Sequence, residues 1–198
     1  MLIPTVIENS GRSNYAYDIF SMLLKHRIIF VNGEINETMA APICAQILYL
    51  AYEDKQQPIK MYIQSGGGQC SAGLCITDTM HTCGCPVSTV AMGQVCSMGS
   101  FIAAAGTKGM RYSLEGTTWM IHEVSSGASG KMTDLTIAMK ESNRINEYLA
   151  NKLALFTGQS FKKIMKDINR DNFMTAIEAV EYGLCDKILE SGNSNETN

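Results

Sequence analysis

Residues 87–105 read VSTVAMGQVCSMGSFIAAA, and this stretch decides the fold. It begins with an apolar, partly β-branched run over 87–92, passes through Gly93, and ends in small apolar residues over 97–105. A short apolar run bounded by glycine favours a buried strand, and the following residues favour a helix. The stretch therefore predicts a strand, a turn and a helix, with Ser97 at the junction.

Strand-like and helix-like patterns alternate along the chain from residue 27 onward. The predicted strands are 27–31, 59–63, 87–92, 118–121 and 185–189, and the predicted helices are 37–53, 71–82, 97–105, 132–157, 160–168 and 175–182. This alternation is typical of α/β proteins. At 198 residues, the chain suits one domain with its own core, which we expect to cover 1–198.

The longest predicted helix, 132–157, carries more apolar residues than one edge of a small domain can cover. They are Leu135, Ile137, Met139, Ile145, Leu149, Leu153 and Leu155. We expect a second subunit to cover part of this surface. The polar residues after this region of helices, 191–198, predict a disordered tail.

Composition excludes several classes of function. The net charge is −3 without a basic cluster, so nucleic acid is not an expected partner. The first ten residues lack the pattern of a signal peptide, and the apolar runs are too short to cross a bilayer. Seven cysteines at irregular spacing indicate a reducing compartment rather than a disulfide framework, and Cys83 and Cys85 alone do not predict a metal site.

Ser97 is the first candidate for chemistry. At the start of a helix, the free backbone N–H groups can stabilise an oxyanion that forms beside a nucleophile. A serine at this position can equally serve as the helix N-cap. The stretch Ser65-Gly66-Gly67-Gly68 follows an apolar run and could supply a second N–H group, or could be an ordinary turn. It lacks the Gly-Lys-Ser/Thr ending of a nucleotide-binding loop.

A nucleophilic serine needs a base, and the chain has three histidines. His26 lies in a charged run and His81 ends a predicted helix, so both are expected at the surface. His122 ends a β-run and opens a loop rich in glycine and serine, where α/β folds place functional groups. Asp171 lies in a polar turn and could orient His122 or cap a helix. Spacing alone does not establish that these two residues meet.

Several motifs in one order resemble the Clp protease proteolytic subunit (ClpP) family. They are LIPTVIE at 2–8, AYDIFSMLLK at 16–25, GQVCSMGS at 93–100, MIH at 120–122, TGQS at 157–160, RDNFM at 170–174 and EAVEYGL at 178–184. The likeness covers about 190 residues. It implies the ClpP/crotonase-like fold, an α/β fold of stacked β-sheet and helices with a long handle helix, here in the region 123–157.

The resemblance implies a serine endopeptidase that hydrolyses unfolded polypeptides inside a barrel of stacked seven-membered rings. Ser97 is then the nucleophile, His122 the general base and Asp171 the group that orients it. The N–H groups of Gly67 and Met98 form the oxyanion hole. ATP is used by a partner AAA+ unfoldase, and this subunit needs no cofactor or metal. The expected location is the cytoplasm, or the stroma or matrix of an organelle.

The resemblance also assigns surfaces. Residues 1–18 are expected to form the loops of the axial pore, and Ser125, Ser126 and Gly127 to line the substrate groove. The residues expected to dock the ATPase are Tyr62, Met92, Tyr112 and Leu189. Arg170 is expected at the contact between rings.

The chain departs from the family at four positions. Gly66 replaces a proline, Glu123-Val124 replaces Gln-Pro after the histidine, and Asn169 replaces an acid that pairs across the rings. These departures leave open a weakly active or structural subunit of a heteromeric complex with a paralogous ring. A crotonase-type acyl-CoA enzyme is a third possibility, although such enzymes need no Ser-His-Asp set.

Overall fold

The N-terminal part of the chain forms a β-hairpin. The computed structural model describes residues 3–11, 13–127 and 129–189. Strands β1 (Thr5–Ser10) and β2 (Ser13–Asp18) pair antiparallel and lead into helix α1 (Ile19–Lys25). The Asp18 carboxylate caps α1 by accepting the Ser21 N–H at 2.9 Å. The sequence pattern predicts no strand or helix in this region.

Beyond the hairpin, strands and helices alternate, which confirms the α/β prediction. In chain order, the elements are β3 (Ile28–Ile35), α2 (Glu37–Glu53), β4 (Ile59–Gly68), α3 (Cys70–Thr82), β5 (Val87–Cys96), α4 (Met98–Ala104), β6 (Arg111–Leu114), β7 (Thr118–Ile121), α5 (Met132–Thr157), α6 (Phe161–Asp167), β8 (Asn172–Met174), α7 (Ala176–Tyr182) and β9 (Lys187–Leu189). Strands β6 and β8 were not predicted.

The central sheet is parallel except for one pair. Its main path runs β3-β4-β5-β6-β9, and β7 pairs with β5 on one side and with β8 on the other. The first half of β5 pairs with β6 and its second half pairs with β7. The β7–β8 pair is antiparallel. The carboxyl ends of β5 and β7 and the amino end of β8 therefore lie at the same edge of the sheet.

Strand β4 is longer than predicted. The predicted strand covers 59–63 and is followed by a glycine stretch predicted as an oxyanion loop or an ordinary turn, but β4 continues to Gly68. Gly67 and Gly68 pair with Glu34 and Ile35 of β3 after a register shift. A Cβ on Gly68 would lie 2.1 Å from the carbonyl oxygen of Ile35, so only glycine lets the two backbones approach this closely.

The core lies between the sheet and the helices that cross over it. Along β4, Ile59, Met61 and Ile63 are buried and alternate with more exposed residues. On α2, Ile47 and Leu50 are completely buried. Burial of this apolar surface is the main term that stabilises the arrangement.

Helix α5 is largely exposed in the single chain. Of its 26 residues, Leu149, Ala150 and Leu153 are buried. Ile137 and Leu155 are 63% and 72% exposed. The expectation that another subunit covers part of this helix stays a prediction. The predicted tail 191–198 lies outside the described residues, as do residues 1, 2 and 12 of the predicted pore-loop region.

No helix within the ranges that the structure describes combines the length and apolar character needed to cross a bilayer.

Candidate active site

Ser97 lies between the end of β5 and the start of α4 in an unusual backbone conformation. Its φ is 55° and its ψ is −123°, a combination that is rare for a residue with a side chain. Such a conformation costs about 1–3 kcal/mol and persists only where neighbouring contacts hold it. The Ser97 N–H donates to the carbonyl oxygen of Met120 at 2.9 Å, and the Ser97 carbonyl accepts the N–H of Phe101 at 3.1 Å.

The Ser97 side chain is free for chemistry rather than used in the helix. It makes no capping hydrogen bond to α4, so the N-cap interpretation is wrong. Its Oγ lies 2.8 Å from Nε2 of His122. A hydroxyl at hydrogen-bonding distance from an imidazole is the arrangement in which the imidazole can take the hydroxyl proton.

His122 follows β7 directly, so the sheet fixes its position. Strand β7 runs parallel to β5 and pairs with it up to Cys96 and Met120. Ser97 comes one residue after this pair and His122 two residues after it, so both lie at the same end of the two strands. The imidazole is 24% exposed. The other two histidines, His26 and His81, are exposed as expected.

Asp171 comes beside His122 through the antiparallel pair of β7 and β8. Ile121 pairs with Asn172, so the residue after Ile121 and the residue before Asn172 lie side by side. Oδ1 of Asp171 lies 3.4 Å from Nδ1 of His122. A strand follows Asp171, so the alternative that it caps a helix is wrong. The structure thus brings all three predicted triad residues together.

The glycine stretch of β4 lies against Ser97. Gly67 has a φ of 106°, and a Cβ at this position would lie 2.6 Å from the Ser97 Cβ. The Gly67 N–H donates to Oγ of Ser65 at 3.1 Å. Gly68, the last residue of the predicted glycine stretch, lines the cavity beside Ser97 together with Met98. Met98 is the first residue of α4, so its N–H has no acceptor within the helix.

A small cavity of about 90 Å³ opens beside Ser97 and His122. Much of its wall is apolar, formed by Phe101, Ile121, Leu149, Leu153 and Ile168 among others. An apolar cavity next to a nucleophile favours an apolar side chain of a substrate.

The predicted groove residues follow His122. Ser125 lines the cavity, and Ser126 and Gly127 are exposed just beyond it. Asn146 of α5 also lines the cavity, and its Oδ1 accepts the N–H of Val124 at 3.0 Å. Asn146 is not among the predicted site residues, because nothing in the sequence distinguishes one asparagine in a long amphipathic helix from an ordinary surface residue.

The predicted docking residues share one face of the sheet. Tyr62 and Tyr112 both pair with Val90, on either side of β5, and residues paired in this way point to the same face. Met92 follows Val90 by two residues on β5 and therefore points the same way. Leu189 pairs with Leu114, two residues beyond Tyr112 on β6.

Arg170 is exposed next to Asp171, and its Nη1 donates to the carbonyl of Asn169 at 3.3 Å. Among the described residues, no three His, Cys, Asp or Glu side chains form a group that could hold a metal ion.

Comparison with known proteins agrees with the geometry. The sequence model of the Clp protease family matches residues 11–192. An ATP-dependent Clp protease proteolytic subunit from Ligilactobacillus salivarius (strain UCC118) is 47% identical over 190 residues, which covers 96% of this chain and 96% of that protein.

Proposed function

The chain belongs to the Clp protease family, and we propose that Ser97, His122 and Asp171 are the residues with which it cleaves peptide bonds. It is a serine endopeptidase, the proteolytic subunit of an ATP-dependent Clp protease. The observation that carries the assignment of the residues is the distance of 2.8 Å between Ser97 Oγ and His122 Nε2.

In the proposed reaction, His122 accepts the Ser97 proton while Oγ attacks the carbonyl carbon of the peptide bond. The imidazolium then gives this proton to the leaving amine, which departs and leaves an acyl group on Ser97. Water then attacks the acyl carbon while His122 takes one of its protons, and the Oγ–C bond breaks as His122 returns this proton to Ser97 Oγ, which releases the second product. Asp171 holds the imidazole in the orientation and tautomer that these proton transfers need.

The tetrahedral intermediates carry a negative oxygen that needs hydrogen-bond donors. We propose that Met98 gives one N–H, because it begins α4 next to Ser97. The glycine stretch would give the other. The Gly67 N–H donates to Ser65 Oγ, so it must break this hydrogen bond before it can bind the oxyanion. Gly68 lines the cavity and is the second candidate for this donor.

We propose that the groove 125–127 receives the substrate chain and that the cavity receives one apolar side chain of it. The apolar wall of the cavity supports this choice. From membership in the Clp protease family, we propose that the substrate is an unfolded polypeptide.

We also propose that the chain assembles with copies of itself into seven-membered rings that stack in pairs, and that an AAA+ ATPase docks on it. The name of the similar protein, which includes "ATP-dependent", supports the ATPase partner. The shared face of Tyr62, Met92, Tyr112 and Leu189 is the proposed docking surface, and Arg170 the proposed ring contact. A single domain over 1–198 and pore loops in residues 1–18 stay predictions.

Acyl transfer by a serine, an imidazole and two N–H groups is complete in atoms and electrons without a cofactor. We therefore propose that ATP is consumed by the partner and not by this subunit. The cytoplasm, or the stroma or matrix of an organelle, is the proposed location. The comparisons favour the peptidase over a crotonase-type acyl-CoA enzyme.

Hydrolysis of a short fluorogenic peptide with an apolar residue before the cleaved bond tests the proposal. Wild-type protein should turn the peptide over, and Ser97→Ala should lose about 10⁴-fold or more of kcat. Ser71→Ala, a change at an exposed position on α3, is the matched control and should keep full activity. Equal turnover by Ser97→Ala and wild type would refute the assignment.

A further inference from the structure

Three hydrogen bonds, two to its backbone and one to a side chain, hold the segment that follows His122. The Glu123 N–H donates to the carbonyl oxygen of Ile168 at 2.7 Å. The Val124 N–H donates to Oδ1 of Asn146 at 3.0 Å. Ser126 Oγ accepts a hydrogen bond from Ser142 Oγ at 3.0 Å. Two of these three partners lie on α5, so this long helix holds the segment beside the active site in place.

Asn146 lines the cavity beside Ser97, as Ile168 does and Ser142 does not, but its contact with the segment is made by a side chain that a substitution can remove. It is half-buried, and the hydrogen bond that it accepts is partly buried. If its oxygen were lost, the Val124 N–H would remain without an acceptor in a position that water reaches only in part. An unsatisfied, partly buried N–H group costs about 1–3 kcal/mol, and the segment can avoid this cost by moving toward solvent.

We propose that Asn146 is a positioning residue that holds the segment after His122 in the place where it receives the peptide substrate. This inference rests on the proposed function. Asn146 acts through the Val124 backbone rather than on the reacting atoms, because its Oδ1 is already bonded to that N–H group. Its loss should therefore weaken peptide binding while leaving Ser97 and His122 in place.

The position of residue 124 allows a specific test. Proline has no N–H group, so a residue 124 that is proline cannot donate a hydrogen bond to Asn146. This is also the residue that the resembled family carries at this position. The effect of Asn146→Leu should therefore be large with valine at 124 and small with proline at 124.

The experiment measures KM and kcat for a fluorogenic peptide in four proteins: wild type, Asn146→Leu, Val124→Pro and the double variant. We expect Asn146→Leu to raise KM about tenfold, the factor that corresponds to about 1.4 kcal/mol, with kcat changed less than threefold. Adding Asn146→Leu to Val124→Pro should change KM less than twofold. Asn146→Asp keeps an oxygen at the same place and should restore most of the lost affinity.

A fluorophosphonate, which reacts with the nucleophile without needing the groove, separates the possible results. If wild type is labelled at Ser97 and Asn146→Leu keeps both wild-type labelling and wild-type KM, the inference is wrong and the proposed function stands. Equal effects of Asn146→Leu on the valine and proline backgrounds would also refute it. Absence of labelling in wild type would instead refute the proposed function.

A second inference rests on a different observation. Sγ of Cys44 on α2 lies 3.6 Å from Sγ of Cys75 on α3. Cys75 is exposed and Cys44 is half-buried, and burial raises the pKa of the Cys44 thiol. A disulfide has an S–S bond of about 2.05 Å, so the two sulfurs need to approach by only about 1.5 Å.

We propose that Cys44 and Cys75 form a reversible disulfide by exchange with a small-molecule disulfide such as oxidised glutathione. The Cys75 thiolate attacks one sulfur of the reagent, forms a mixed disulfide and releases one thiolate. Cys44 then loses its proton and attacks the Cys75 sulfur, which forms the Cys44–Cys75 bond and releases the second thiolate. The bond would tie α2 to α3, whose first residue, Cys70, lines the cavity.

Intact mass after treatment with oxidised glutathione tests this proposal. Wild type should lose the mass of two hydrogens, and peptide mapping should find Cys44 and Cys75 in one cross-linked pair. Cys44→Ser should instead retain one glutathione on Cys75. A stable glutathione adduct on Cys75 in wild type, with Cys44 still free, would refute the proposal.

Discussion

Oδ1 of Asp171 lies 3.4 Å from Nδ1 of His122, and the two residues meet because β7 and β8 run antiparallel. The Asp171 side chain is 61% exposed, far more than the imidazole that it faces. The Ser97–His122 contact, at 2.8 Å, is the shorter of the two. The acid is therefore the most loosely held of the three residues, and its contact depends on a strand of only three residues.

Asp171→Asn should lower kcat more than it changes KM. The amide keeps the shape of the carboxylate but no longer stabilises the imidazolium or favours the tautomer with a proton on Nδ1, so we expect a loss of about 10²- to 10⁴-fold. Steady-state kinetics with a fluorogenic peptide measures this loss. A kcat within threefold of wild type would show that Asp171 does not orient His122.

Gly67→Ala should lower activity strongly while leaving the chain folded. The new Cβ would lie 2.6 Å from the Ser97 Cβ, and the φ of 106° is unfavourable for alanine, so the nucleophile must move. We expect kcat to fall at least 100-fold, because small displacements of reacting groups have effects of about this size. Peptide hydrolysis and circular dichroism of the same sample measure both outcomes.

Gly66→Ala is the matched control for Gly67→Ala. A Cβ on Gly66 meets nothing within 4 Å, and its backbone needs no positive φ. We expect activity within twofold of wild type. Equal losses in the two variants would mean that the glycine stretch is sensitive as a whole and that contact with Ser97 is not the cause.

Gly66→Pro should stabilise the protein. The site has room for a side chain, and proline restricts the unfolded chain, so we expect the free energy of unfolding to rise by about 0.4–1 kcal/mol. Urea denaturation of wild type and variant measures this difference. A decrease in stability would show that the Gly66 N–H or its φ is needed in β4.

Arg111 and Asp186 form a paired charge at the edge of the sheet. Nη2 and Nε of Arg111 donate to the two oxygens of Asp186 at 2.6 and 3.1 Å, and Nη1 donates to the carbonyl of Phe156 at 2.9 Å. Arg111 is 4% and Asp186 16% exposed in the side chain. The pair connects β6, the start of β9 and the end of α5.

The pH dependence of stability follows from this pair. Burial alone would raise the pKa of Asp186, but hydrogen bonds from the Arg111 side chain and from backbone N–H groups outweigh it and lower the pKa below the ordinary 3.8. A carboxyl with a lowered pKa stabilises the fold fully above its ordinary value and loses this contribution as pH falls through the folded-state pKa. The loss should therefore occur below about pH 4.

Asp186→Asn should lower the free energy of unfolding by about 3–5 kcal/mol at pH 7, because it leaves the Arg111 charge buried without its partner. The variant should also lose less stability than wild type between pH 4 and pH 2. Urea denaturation at several pH values measures both effects. Parallel pH profiles for the two proteins would show that this carboxylate does not control the acid loss.

Much of the fold followed from local patterns. Helices 37–53 and 132–157 and strand 118–121 were predicted with the bounds that the structure has. These elements have strong periodicity or clear ends, such as Asn36, whose side chain caps α2. The β1–β2 hairpin has no such pattern: within the described part of the chain its two strands pair only with each other, and they bury little apolar surface.

Local sequence patterns predict the active site less completely than they predict the fold. The strand-turn-helix around Ser97 and the strand before His122 could be inferred directly, but Asp171 meets His122 only through the register of β7 and β8. A strand as short as β8 gives almost no periodic signal. The resemblance to a family, rather than the spacing, assigned Asp171. Neither the local sequence pattern nor the family resemblance pointed to Asn146, because its role depends on where α5 passes the segment after His122.

Covalent labelling with a fluorophosphonate followed by peptide mapping tests the assignment of Ser97 most directly. We predict one adduct, on Ser97, that forms much more slowly in His122→Ala because the hydroxyl then lacks its base. An adduct on another serine, or an undiminished rate in His122→Ala, would show that Ser97 is not a nucleophile activated by His122.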